Sequence, residues 1–106
     1  MTTAKLFDSR NHTTTLDISG HAGFNPGNDV VCAAISTVAY NLINVVSELV
    51  KDGKAEIGEL TEISGHIWFV FQIYDVRLLK IVTNYATIGL KMIAEQYPEH
   101  LEVITS

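Results

Sequence analysis

One cysteine, Cys32, in 106 residues leaves no partner for an internal disulfide. Proline is nearly as scarce, with only Pro26 and Pro98, and no repeat, linker or low-complexity tract interrupts the chain. Residues 1–106 are therefore read as a single domain, large enough to bury about two-thirds of its unfolded surface. Basic residues are few as well: seven Lys and Arg stand against twelve Asp and Glu, a formal charge of −5. They are scattered, the reverse of the basic patch that nucleic-acid binders carry, so no direct nucleic-acid partner is expected. There is no unbroken run of eighteen apolar residues and no basic N-terminal segment leading into an apolar one, which predicts no membrane span, no secretory leader and a cytoplasmic location. His12, His21, His66 and His100 share no metal-ligand spacing with Cys32, and Gly53-Lys54 and Gly58 lack the Gly-Lys-Ser/Thr ending of a phosphate loop. The expectation is no metal and no cofactor.

The apolar residues that are present alternate or recur with clear periods. Residues 3 to 8 and 13 to 19 read as two strands around the polar turn Ser9-Arg10-Asn11-His12, with Leu16 and Ile18 alternating against Thr15 and Asp17. A first helix is predicted from about Asp29 to Lys51, closed by Asp52-Gly53. Strands at about 54 to 62 and 65 to 74 follow, separated at Ser64-Gly65. The second of these holds Ile67, Trp68, Phe69, Val70, Phe71, Ile73 and Tyr74, which predicts the centre of the sheet, with Trp68, Phe69 and Phe71 in the core. Glu56, Glu59 and Glu62 read as a solvated strand face. Asp75 caps a second helix that reaches about Tyr97 and stops at Pro98, and Leu101 to Thr105 return as a short strand. The fold class is α+β, a mostly antiparallel sheet with two packed helices in the order β-β-α-β-β-α-β.

The second helix has more apolar surface than one sheet requires. Leu79, Val82, Ala86, Leu90 and Ile93 form one stripe, and Leu78, Ile81, Tyr85, Ile88 and Met92 a neighbouring one. The combined arc is roughly 200°, against about 100° for an ordinary surface helix. The second stripe either packs on the first helix or forms a two-fold homodimer interface, and Gly89 permits close approach of another backbone.

Chemistry concentrates in residues 20 to 36. A sulfur nucleophile works as thiolate, which a helix N-terminus, a nearby imidazolium and partial exposure all favour. Asn28 and Asp29 are strong N-cap residues before an apolar-periodic run, so Cys32 falls in the first helical turn. His21 ends the preceding extended segment, and Gly20, Gly23 and Gly27 let the loop between them fold back. Asp29, Cys32 and Ser36 share one stripe at the border of the polar and apolar helix faces. There Ser36 is placed to donate to a thiolate, and Asp29 to orient His21 or to cap the helix. The same residues also fit a small buried hydrophobe, a plain N-cap and a serine bonded back to its own helix. Unpaired backbone N–H groups at the helix start or in the loop 23 to 28 are the expected oxyanion donors.

The runs Gly20-His21-Ala22 and Gly27-Asn28-Asp29-Val30-Val31-Cys32-Ala33-Ala34-Ile35-Ser36 resemble the signature of the Prp family of bacterial ribosomal-processing cysteine proteases. Chain length and order of elements are similar too, while the loop that holds Pro26 is slightly shorter than is usual there. The resemblance implies a cysteine endopeptidase that removes a short N-terminal extension from a large-subunit ribosomal protein. His21 would be base and Cys32 nucleophile, with Asp29 and Ser36 supporting and Gly23, Phe24, Gly27 and Asn28 in a mobile substrate loop. An acidic surface suits a basic ribosomal partner. The alternatives are a non-catalytic homodimer of the same fold that binds a peptide or ribosomal protein, and a dimeric structural protein with a buried thiol.

Overall fold

The computed structural model describes residues 1–9, 12–25 and 27–106. Its elements are β1 (Thr2–Asp8), β2 (Thr14–Ser19), α1 (Val30–Lys51), β3 (Ala55–Ile63), β4 (His66–Ile73), α2 (Val76–Gln96) and β5 (Leu101–Thr105). This is the expected order of two helices and five strands. Of the turn expected between β1 and β2, Arg10 and Asn11 lie outside the described residues; the Ser9 N–H donates to the Thr13 carbonyl at 2.8 Å across it.

The strands form one sheet in the order β3-β4-β2-β1-β5. Three neighbouring pairs are antiparallel, and β1 with β5 is parallel. The aromatic-rich β4 is therefore not the central strand, as its composition suggests. β5 adds outside β1 and moves the centre to β2, whose Leu16 pairs with Leu6 on one side and Phe69 on the other. Both helices cover the face that carries Ala4, Leu6, Leu16, Ile18, Phe69, Phe71 and Ile73, all buried. Phe69 and Phe71 stack at 4.9 Å between centroids. Trp68, expected with them, alternates to the opposite face, pairs with Asp17 and donates its indole N–H to Glu59 at 3.1 Å. A strand puts neighbouring side chains on opposite faces, and only one face of this sheet is covered.

Helix ends follow the caps read from sequence. Asp75 accepts from the amides of Arg77 and Leu78 at 2.8 and 3.1 Å. At the end of α1 the Gly53 N–H bonds the Val50 carbonyl and the Lys54 N–H bonds the Leu49 carbonyl, at 3.1 and 2.8 Å, the paired bonds of a Schellman motif. By length and composition α1 is apolar enough to cross a bilayer, a correction to the expectation from unbroken runs. Its polar interruptions, such as Asn41 and Asn44, are too few to lower its mean hydropathy. In this fold Val31, Ile35, Ala39, Leu42, Ile43 and Val46 of α1 are buried in the core.

The two stripes of α2 separate. Leu79, Val82 and Ile93 pack on the core beside buried Ala86 and Leu90, and Leu78 joins them. Ile81, Tyr85, Ile88 and Met92 stay exposed, at 67, 73, 59 and 57%. α1 does not cover them, although a Cβ on Gly89 would stand 3.3 Å from Val38 of α1. Between the helices runs an apolar groove of about 370 Å³ flanked by Val38, Val45, Ile81 and Tyr85. On the edge strand β3, Glu56, Glu59 and Glu62 are exposed as expected, and each accepts a bond from an aromatic side chain: Tyr74, Trp68 and Tyr40.

Candidate active site

The site is built where β2 runs out. Gly20 follows Ser19 with φ 89°, and a Cβ there would stand 2.7 Å from the Met1 carbonyl oxygen, so only glycine fits the turn. Its N–H donates to the Gly65 carbonyl at 2.8 Å, which ties the end of β2 to the β3–β4 turn. The chain then presents His21, exposed, with its ring against Gly65. Ala22 is sunk, at 1% exposure. Its N–H donates to Cys32 Sγ at 3.3 Å, and its carbonyl accepts from His100 Nδ1 at 2.9 Å.

Cys32 lies in the first turn of α1 and is half-buried. Asp29 caps that turn with one carboxylate oxygen, which accepts from Val31 and Cys32 amides at 2.9 and 3.0 Å. Its other oxygen takes the loop amides of Phe24 at 2.9 Å and Asn25 at 3.5 Å. The Cys32 amide above all holds the Asp29 carboxyl below the usual carboxylate range; desolvation opposes this and the other three amides add to it. Of its two expected roles, Asp29 therefore fills the cap, and it makes no hydrogen bond to His21 among the described residues. The amides expected to be unpaired oxyanion donors are largely taken: those of Val31, Cys32, Phe24 and Asn25 all bond Asp29. A single carboxylate satisfies helix start and loop together, a convergence that spacing alone does not reveal.

A cleft of about 190 Å³ opens beside the thiol. His21, Cys32 and Ser36 line it together, as their sequence positions suggest. Among the described residues no hydrogen bond joins the His21 ring to Sγ, and Ser36 Oγ bonds neither Sγ nor its own helix. Asp29 and the loop residues Gly23, Phe24, Gly27 and Asn28 are not in the lining. The Phe24 ring turns instead to Tyr97 and His100, edge-on at 5.2 and 5.3 Å. The loop's Pro26 lies outside the described residues. Sequence reasoning passed over Tyr40, Ile63 and Gly65, which also line the cleft. Tyr40 was within reach, since Cys32, Ser36 and Tyr40 fall one turn apart on the same stripe. Its hydroxyl donates to Glu62 at 2.7 Å, and that bond to a carboxylate pushes the phenol above its ordinary value.

Of the remaining histidines, His66 also borders the cleft. The His66 ring bonds Asp17 at 2.8 Å on the uncovered face of the sheet, and His12 sits in the β1–β2 turn. The cleft thus combines a thiol at a helix N-terminus, a backbone donor on its sulfur and the His21 imidazole, the groups a thiolate nucleophile needs.

The sequence model of one family, described as Cysteine protease Prp, matches residues 1–102. The chain belongs to that family. It is accordingly a cysteine protease. The ribosomal processing protease Prp from S. aureus, solved with a covalently linked product peptide, superposes with TM-score 0.78 at 18% identity, covering 100% of both chains. The same S. aureus protease with a substrate peptide gives TM-score 0.74 at 17% identity, again over 100% of both. SMU.848 from Streptococcus mutans gives TM-score 0.69 at 23% identity, over 100% of this chain and 96% of that one. No curated protein matches the chain.

Proposed function

We propose that this Prp-family protease is a cytoplasmic endopeptidase, the whole chain acting as one domain, that removes a short N-terminal extension from a large-subunit ribosomal protein. Cys32 is its nucleophile and His21 its base. The observation that carries this reading is that both side chains line one cleft while the Ala22 amide already donates to Sγ. His21 takes the thiol proton, Sγ attacks the scissile carbonyl, and the imidazolium protonates the departing amine; water then hydrolyses the thioester. Asp29 supports the nucleophile by holding the helix start and loop, and Ser36 stands one turn beyond it in the same cleft. The loop that contains Gly23, Phe24, Gly27 and Asn28 meets the substrate.

The S. aureus relatives, described as ribosomal processing proteases with bound product and substrate peptides, support the substrate class. So does charge, because a surface of net −5 attracts basic ribosomal proteins. The protease acts as a homodimer through Ile81, Tyr85, Ile88 and Met92, the apolar stripe left exposed on α2. The test is cleavage of the source organism's own ribosomal protein precursor, read by mass spectrometry. The wild type should release the N-terminal extension and Cys32→Ala should not; an intact precursor after long incubation with the wild type overturns the proposal.

A further inference from the structure

His100 stands far from Cys32 in sequence and bonds no part of it. Yet it holds the one residue, among those described, whose backbone donates to the sulfur. Ala22 is fixed in three ways: its methyl is buried, its N–H points to Cys32 Sγ at 3.3 Å, and its carbonyl receives His100 Nδ1 at 2.9 Å. His100 is itself anchored by its backbone. Its N–H donates to the Tyr97 carbonyl at 2.9 Å, and its carbonyl accepts from Thr2 at 3.0 Å, where β1 begins. Donation to a carbonyl requires the proton on Nδ1, which fixes the tautomer of the neutral ring.

We propose that His100 is a positioning residue for the thiol: it clamps the Ala22 carbonyl so that the Ala22 amide stays directed at Cys32 Sγ. A hydrogen bond to sulfur favours the charged form that attacks, and its strength depends on alignment. Without the clamp, the peptide groups on either side of the Ala22 Cα turn more freely, and the amide spends less time aimed at sulfur. Other groups act on the same thiol and remain in place: the first turn of α1, the Asp29 carboxylate bonded to the Cys32 amide, and the His21 ring across the cleft. His100 also packs edge-on against Phe24 at 5.3 Å, so a bare truncation would mix two effects.

Two variants separate them. His100→Phe keeps a ring beside Phe24 and loses the donor, whereas His100→Asn keeps a side-chain N–H near the Nδ1 position and loses the ring. The readouts are the second-order rate of Cys32 alkylation by iodoacetamide at neutral pH and the NMR shift of the Ala22 amide proton. His100→Phe should slow alkylation about five- to tenfold, as loss of one hydrogen bond does, and move the Ala22 amide proton upfield. His100→Asn should stay within about threefold of the wild type. Alkylation in His100→Phe at the wild-type rate, or slowing in His100→Asn as great as in His100→Phe, would overturn the proposal. The inference rests on Cys32 being the nucleophile, but alkylation and the amide shift report the thiol whether or not any precursor is cut. Failure here is therefore distinguishable from failure of the cleavage assay.

Discussion

The His21 ring rests on the Cα of Gly65: a Cβ built there would stand 3.1 Å from Nε2. Gly65 also has φ 80°, in the left-handed region. Gly65→Ala therefore carries two penalties, backbone strain of about 1 kcal/mol and a displaced imidazole. The expected outcome is a Tm lower by about 4–8 °C and peptide cleavage reduced about tenfold or more. Alkylation of Cys32 at high pH, where the thiolate forms without help from His21, should be unchanged. Thermal melts, kinetics and alkylation on one preparation check all three.

Asp29→Ala removes a carboxylate that four amides share. Hydrogen exchange should accelerate at Phe24, Asn25, Val31 and Cys32 together, while the amides of α2 keep their protection. The wild type should show the same change in acid. Since the Asp29 carboxyl lies below its ordinary 3.8 in the folded chain, its contribution is complete above that value and fades as pH falls through the lowered one. Protection of these four amides that does not weaken as pH falls from neutral into acid would contradict this assignment.

Tyr40 continues the stripe of Cys32 and Ser36 into the cleft wall. Tyr40→Phe keeps the ring and loses the bond to Glu62, so peptide cleavage should stay within about twofold of the wild type. Tyr40→Ala should raise KM about tenfold with little change in kcat, because the lost contact belongs equally to bound substrate and transition state. Steady-state kinetics on one peptide distinguish the two.

On α2, Ile88→Glu places a charge in the middle of the exposed stripe. Static light scattering at micromolar concentration should return twice the chain mass for the wild type and the single-chain mass for Ile88→Glu, with the circular dichroism spectrum unchanged.

Much of this architecture could be read from local pattern. Asp29, Asp52-Gly53, Asp75 and Pro98 mark helix boundaries through backbone chemistry that works within a few residues, and the strands follow from alternation. Strand order was less legible, because the aromatic content of β4 reports burial of one face, not place in a sheet; β5 pairing with β1 decides the centre. His21 and Cys32 are near in sequence, so one short loop places them in one cleft. Tyr40 resembles ordinary helix surface, and only the stripe it shares with Cys32 and Ser36 points to the cleft. His100 was hidden more deeply, since its bond runs to a main-chain carbonyl and leaves no residue-type signature.

That bond joins positions 78 apart, and it forms where the turn after α2 meets the start of β1. A contact across so much chain must await closure of nearly the whole loop between its ends, and it is among the last that folding rewards. During synthesis Cys32 emerges early, with α1, whereas His100, which bonds the Ala22 carbonyl, emerges only near the end of the chain. A nascent chain therefore carries its thiol before the residue that holds the Ala22 carbonyl has been made.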